Sequence, residues 1–383
     1  MIETLRIESF KSIAETQLDL GQVNVFIGAN GSGKSNLLEA LALLSAAASG
    51  KVDQSTMVWR GARASGYYRP MFEGINPDAE IRFEANADAA SYRVALNAPE
   101  PTRPDSWHYG TEVLLRGADV VADRSLLRTS GGLDPERGYA ALKLAETDPG
   151  NPASAFLKSL TEYSIYSPDT PILHGWVKDP QEREPIGLGG GRLAGALDEL
   201  LDSEKLAEAL NEEFHASIDW FGGFLMGNLF GGDELYFKDR FFRVGKMGTS
   251  VLGTNDVNEG VLYLAFLAVL GLHPRCPRLF AIENVDHGLN PLLAKRLMSA
   301  LSERILGAAV KRQVFLTTHN PLVLDGLRLQ DKRVRLFTVD RDNTGRSVIR
   351  RFEVTEKHRE MAAKGWTLSR MWINKLIGGV PDV

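Results

Sequence analysis

One cysteine, Cys276, stands in 383 residues, so no internal disulfide is available and a reducing compartment is expected. Long apolar runs are also missing. The longest, residues 261–272, is too short to span a bilayer and predicts a buried helix. The first residues, Met-Ile-Glu, pass into an alternating strand pattern rather than a leader. A soluble cytoplasmic protein without a membrane partner is the expectation. Positive charge is not in excess. With a formal net charge of −5, no global basic field draws the chain onto nucleic acid, although a local groove stays open. No sustained heptads encode a long coiled coil, and no Cys/His framework or acid cluster outside the nucleotide motifs encodes a nuclease centre.

What is present is concentrated in residues 23–44. Gly28-Ala29-Asn30-Gly31-Ser32-Gly33-Lys34-Ser35 is a complete G-x-x-x-x-G-K-[ST] pattern, the P-loop or Walker A motif. A short apolar run, 23–27, precedes it as a buried strand would. Leu37, Leu38, Leu41 and Leu44 follow at helical spacing, and Gly50 supplies a stop. The glycines let consecutive N–H groups and a helix N-terminus face a phosphate chain. Asn30 to Asn36 are therefore the expected nucleotide contacts, with Lys34 on the β/γ-phosphates and Ser35 on Mg²⁺. ATP and Mg²⁺ are the implied ligands.

Around this motif the chain reads as three parts: 1–116, 117–250 and 251–383. Residues 4–20 alternate as two half-buried strands, with Phe10-Lys11-Ser12 at the bend. Residues 79–85 and 92–97 predict a hairpin with its turn over 86–90, and 107–116 a further strand. In 117–250, Gly, Pro and Asp break up short helical stretches, which predicts a mixed, partly helical insertion. Within it, 193–214 has the spacing of one amphipathic helix, and Gly187-Leu188-Gly189-Gly190-Gly191 is expected to be a mobile loop, since no lysine or Ser/Thr completes a phosphate motif. The last part predicts a helix over 261–272, a strand over 278–283, a helix over 292–305 and a strand over 313–319. Two strands, 334–339 and 348–354, and a helix over 368–377 follow. Strands alternating with helices around a P-loop imply an α/β fold with a mainly parallel sheet plus antiparallel strands.

Two downstream residues fit this site. Glu283 ends an apolar strand, the form of a Walker B element whose carboxylate faces the Mg²⁺ on Ser35. His319 ends the next strand before Asn320-Pro321 and is placed to touch a γ-phosphate.

The set of motifs resembles the SMC/RecF-like branch of the ABC-type ATPases, especially the compact ATP-binding proteins of bacterial phage-defence operons (OLD-like and Septu-type). The matching residues are Phe10-Lys11-Ser12, Asn258-Glu259-Gly260 in the signature position, Ile282-Glu283-Asn284-Val285-Asp286-His287-Gly288-Leu289-Asn290-Pro291 in the Walker B region, and Thr317-Thr318-His319-Asn320-Pro321 around the switch histidine. They lie in roughly the first hundred and the last hundred and thirty residues. The resemblance implies an ABC-type ATPase head and an ATP-dependent head-to-tail homodimer. ATP would be sandwiched between the P-loop of one copy and Asn258–Gly260 of the other, with Lys11 beside the nucleotide. Gly260 opens a helix, and a helix N-terminus favours phosphate.

Two positions depart from the family pattern. Asn284 stands where the catalytic glutamate is expected, and Asn258 replaces the signature serine. An amide orients water but does not take its proton, and losing a general base costs about 10²–10⁴ in rate. Slow hydrolysis is therefore expected, with Asp286 as the substitute base to weigh. The first functional reading is an ATP-gated dimeric switch in phage defence or DNA maintenance, working with a separate effector such as a nuclease. The alternative is the nucleotide-binding, energy-coupling subunit of a transporter, against which stand the Phe-Lys-Ser opening, the middle insertion and the missing L-S-G-G-Q. A P-loop kinase leaves Asn258–Gly260 and His319 unexplained. Arg341, Arg346, Arg350 and Arg351 form a local basic cluster that reads as a solvated strand edge before it reads as a DNA groove.

Overall fold

The computed structural model describes all residues except 64–67, 69–78, 100–104, 128–132, 145–149, 228–233, 244–248, 309 and 381–383. Among the described residues, fifteen strands form three sheets. The first is antiparallel and holds β1 (Thr4–Phe10), β2 (Ile13–Asp19), β4 (Ile81–Ala87), β5 (Ala90–Asn97), β6 (His108–Arg116) and β7 (Asp119–Asp123), in the order β2-β1-β4-β5-β6-β7. The second is the core sheet: β3 (Val23–Ile27), β8 (Ser164–Tyr166), β12 (Leu279–Ile282), β13 (Gln313–Thr318), β14 (Val334–Arg341) and β15 (Ser347–Phe352). Its order is β15-β14-β3-β13-β12-β8, parallel except for β15. A small antiparallel sheet joins β9 (Phe221–Gly227), β10 (Glu234–Arg243) and β11 (Thr249–Gly253).

The P-loop helix, Lys34–Ala48, is buried on nearly every side. It lies between the two large sheets, so its Leu and Ala residues meet Leu5, Ile7 and Phe83 of the first sheet and Phe26, Phe315 and Phe337 of the second. A helix enclosed all round need not be amphipathic. Its polar members are individually satisfied: Glu39 receives Lys11 and Arg63, and Ser45 receives Arg60. The other face of the core sheet, with Val23, Val25, Val314 and Leu316, packs into a second core around the apolar helix Glu259–Leu272 and the helix Pro291–Gly307. No helix among the described residues is long and apolar enough to cross a membrane.

Several sequence expectations need adjusting. The hairpin turn is tighter than 86–90, because β4 and β5 pair as far as Ala87 and Ala90. The single helix expected over 193–214 is two, Leu193–Leu201 and Glu204–Ser217, broken where Ser203 is extended. The break lets Leu197 and Leu200 pack with the apolar helix while Phe214 meets Phe221 and Phe224 of β9 at 5.0 and 4.7 Å. Strands β9 to β11 were hidden by the glycines of Phe221-Gly222-Gly223-Phe224 and by charges within β10. The 187–191 stretch is an ordered, buried loop. The N–H groups of Gly189 and Gly191 each donate to Asp179 Oδ2 at 3.0 Å, so the anion they hold is the chain's own carboxylate. Segment 117–250 supplies β7 to the first sheet and β8 to the core sheet.

Phe26 sits in the core between the core sheet and the P-loop helix: fully buried, it stacks on Phe337 at 4.8 Å and lies 6.3 Å from Phe315. Phe26→Ala should lower the unfolding free energy by about 3–5 kcal/mol in a denaturant titration. A change within about 0.5 kcal/mol, the scale of a surface substitution, would contradict this placement.

Candidate nucleotide site

The C-terminal ends of β3, β13 and β12 lie side by side. Ile27 pairs with Thr318, and Ile282 pairs with Leu316. The residues that follow these strands, Gly28, His319 and Glu283, therefore meet at one edge of the sheet. That edge is where α/β folds place ligands.

The loop itself is shaped by close approach. A Cβ on Gly28 would lie 2.2 Å from the carbonyl oxygen of Val339 in β14. Gly33, at φ 109°, is the N-cap of the P-loop helix, and a Cβ there would lie 1.9 Å from Ser347 Oγ. Ser347 Oγ donates to the Ser32 carbonyl and shares a 2.6 Å hydrogen bond with Ser12 Oγ; Asn36 Nδ2 donates to Ser12 Oγ at 2.6 Å. The β1–β2 bend thus braces the loop from beneath, and Asn36 is engaged in that brace.

Lys34 is buried, and its Nζ donates to the carbonyls of Gly28 and Ala29 at 2.7 and 2.8 Å. Burial pushes its pKa down, against the charges of Asp286 and Glu283. Ser35 Oγ donates to Glu283 Oε1 in a short contact, which brings the two expected metal ligands together. Ser32 Oγ is buried in the loop with no hydrogen-bond partner among the described residues. Such a hydroxyl, in a loop that leads into a helix N-terminus, suits a phosphate cradle. The serine–carboxylate pair is an oxygen donor set of the kind a hard divalent cation takes. The residues present therefore fit a Mg²⁺-nucleotide.

Asn284 follows Glu283 with φ 51°, an unusual conformation for a non-glycine residue. Its N–H donates to Thr317 Oγ1 at 2.9 Å, and its carbonyl accepts from Tyr263 OH at 3.2 Å, so its position is fixed from both sides. Asp286 is buried and its Oδ1 accepts from Thr318 Oγ1 at 2.6 Å. His319 is exposed at the end of β13. Lys11, at φ 48°, pairs with Glu39, more than a turn into the P-loop helix, and lies 5.4 Å above the Tyr68 ring.

Asn258, Glu259 and Gly260 gather elsewhere. Asn258 Oδ1 accepts from the Val261 N–H at 3.1 Å and caps the apolar helix. Glu259 Oε1 accepts from Thr170 Oγ1 and lies 3.5 Å from His287 Nδ1. Among the described contacts, none joins these three residues to the P-loop of the same chain.

Two contributors carry no sequence signature. Arg63, mostly exposed, donates from Nε to Glu39 Oε1 at 2.7 Å, so one buried carboxylate holds two cations next to the loop. Ser347, on β15, contacts both Ser12 and Ser32 from more than three hundred residues away. No local motif marks either.

Comparison with known proteins places this site in context. Residues 1–95 match the family model described as "AAA ATPase domain", and residues 194–325 the model described as "AAA domain, putative AbiEii toxin, Type IV TA system". The chain is similar to the DNA replication and repair protein RecF of Renibacterium salmoninarum, 34% identical over 103 residues, which is 27% of this chain and 26% of that protein. RecF of Paenarthrobacter aurescens is 32% identical over 103 residues, with the same two shares, 27% and 26%. An uncharacterized protein of Methanocaldococcus jannaschii is 43% identical over 67 residues, 16% of this chain and 31% of that one. The chain thus spans about a quarter to a third of the length of the curated relatives it matches. Among solved structures it is similar to an SmcHead bound to the C-winged helix domain of ScpA, with TM-score 0.54, 15% identity and coverage of 92% of this chain and 98% of that one. It is also similar to an Smc head domain with an extended coiled coil bound to the C-terminal domain of ScpA derived from Pyrococcus furiosus, with TM-score 0.52, 14% identity and coverage of 95% and 98%. The fold is that of an SMC-head-like P-loop ATPase. The transporter alternative gains no support from these likenesses.

Proposed function

We propose that this chain is the ATP-binding head of an SMC/RecF-like ABC-type switch, which closes on ATP against a second copy of itself. The observation that carries the reading is the Ser35–Glu283 contact, which unites Walker A and Walker B at the strand ends, while Asn258–Gly260 lies apart from the P-loop of its own chain. A helix N-terminus capped by Asn258, exposed and away from its own P-loop, suits the phosphates of a neighbour's nucleotide.

In this reading Lys34 leaves the Gly28 and Ala29 carbonyls for the β/γ-phosphates, and Ser32 Oγ gains its missing partner. Ser35 and Glu283 would hold Mg²⁺, which supplies positive charge to the phosphate oxygens. His319 reaches toward the γ-phosphate from the end of β13. Asn284, pinned through Thr317 and Tyr263, orients water without deprotonating it. Hydrolysis is then slow and the closed state long-lived. Asp286, tied to Thr318, is the residue to test as a substitute base. Lys11, which shares Glu39 with Arg63, would then lie beside the sandwiched nucleotide.

A slow switch suits a sensor that waits for a trigger, and a separate effector, such as a nuclease, would deliver the response. The RecF relatives, named for DNA replication and repair, favour DNA maintenance. The second family description, which names a toxin system, favours phage defence. Structural neighbours whose heads bind ScpA domains make a partner protein reasonable. A cytoplasmic setting fits all of these.

Two substitutions test the chemistry. Lys34→Ala should abolish ATP binding in a direct titration, since the phosphates lose their fixed cation; unchanged affinity would remove the basis of the reading. Asn284→Glu should raise single-turnover hydrolysis by about tenfold or more, by restoring part of a general base's contribution. A wild-type rate already brisk, and unaltered in Asn284→Glu and Asn284→Ala, would show that the catalytic position lies elsewhere.

A further inference from the structure

At the other end of the core sheet, where β8 and β12 begin, lies a cavity of about 410 Å³. Arg60, Arg183, Arg275 and Arg278 line it, together with Trp59 and Glu162. Four guanidiniums in one hollow of an acidic protein call for an explanation.

Their partners differ. Arg275 is neutralised by Glu184 and Glu199. Arg60 is buried and, among the described residues, donates only to Ser45, Ser49 and the Thr56 carbonyl. Arg183 donates to Ser164 Oγ at 3.1 Å and to the Trp59 carbonyl, and its guanidinium lies 4.1 Å over the Trp59 ring. Its Nε–H is shielded from solvent and has no acceptor among the described residues. The carboxylate near it, Asp179, is already occupied by the amides of Gln181, Gly189 and Gly191. The Arg278 side chain is exposed and makes no ion pair among the described residues; Glu162 accepts only its backbone N–H, at 3.3 Å.

Arg60, buried, and Arg183, half-buried, therefore line one cavity with no ion pair among the described residues, and burial lowers the pKa of both. Burial, and then the charge of Arg183, lower the pKa of Arg60 to about 10. Buried charge is stable when compensated, and an anion in the cavity would compensate it. Guanidinium forks match phosphate, whose monoester carries about −1.5 to −2 charge at neutral pH, more than one carboxylate provides. Trp59 lines the cavity and is 55% exposed, an aromatic surface on which a base can stack, and the volume falls within the range of small-ligand sites.

We infer that this cavity is a second ligand site, for the phosphate of a free mononucleotide, at the end of the core sheet opposite the P-loop. Arg183 and Arg278 grip the phosphate, Arg60 supplies charge from behind, and Trp59 faces the base. This site is independent of the P-loop, and the test separates the two.

The full chain carrying Lys34→Ala, which silences the P-loop, is titrated with AMP by calorimetry. Saturable binding is expected, with adenosine failing to bind and inorganic phosphate competing. Adding Arg278→Glu should weaken AMP by about tenfold or more, the loss of one charged hydrogen bond and its attraction. Trp59→Ala should weaken it less. Arg278→Glu alone should leave ATP affinity at the P-loop and the thermal midpoint unchanged, which shows that the fold is intact. AMP binding that vanishes with Lys34→Ala, or that survives Arg278→Glu, would overturn the proposal. A 5′-phosphorylated oligonucleotide that displaces AMP and binds more tightly would overturn the assignment to a free nucleotide.

Discussion

The parallel pairing of β3 with β13 and of β13 with β12 is the constraint on which the rest depends. The registers align the last residues of the three strands, so that Gly28, His319 and Glu283 emerge at one edge although 291 positions separate the first from the second. The contact between Ser35 and Glu283 follows directly from this alignment. A one-residue slip would turn the strand's side chains over and separate the pair. The register is held by burial on both faces: Phe26 and Phe315 toward the P-loop helix, Val25 and Leu316 toward the apolar helix.

Enclosure by two sheets has an electrostatic consequence for the loop. Lys34 lies in a dry environment with its charge on two backbone carbonyls, close to Asp286 and Glu283. Glu39, deeper in the same helix, holds Lys11 and Arg63. The loop is thus preorganised for anions, with a buried cation, a helix N-terminus and a Ser32 hydroxyl that has no partner among the described residues. Preorganisation of this kind needs little rearrangement when a triphosphate arrives.

Much of this was legible in the sequence. The P-loop, the strand ending at Glu283 and the strand before His319 each carry a local pattern, and each sits where that pattern places it. The brace beneath the loop was not legible, because Ser12, Asn36 and Ser347 are ordinary polar residues brought together only by the fold. Nor was the 187–191 loop, since its glycines serve a buried aspartate and nothing in their spacing names Asp179. Strands β9 to β11 escaped because glycine and charge mask alternation, and tertiary contacts among Phe214, Phe221, Phe224 and Phe237 decide the outcome.

The nucleotide site of one chain is a half-site: the P-loop and Glu283 converge, whereas Asn258–Gly260, at the start of a helix that meets Asn284 and His287, make no described contact with the P-loop. Sedimentation velocity with and without Mg²⁺-ATP measures the missing half most directly. ATP should increase the dimer fraction and ADP should not, and Gly260→Asp should abolish the response while the chain still binds ATP. An assembly state indifferent to ATP, and unaltered by Gly260→Asp, would contradict the half-site.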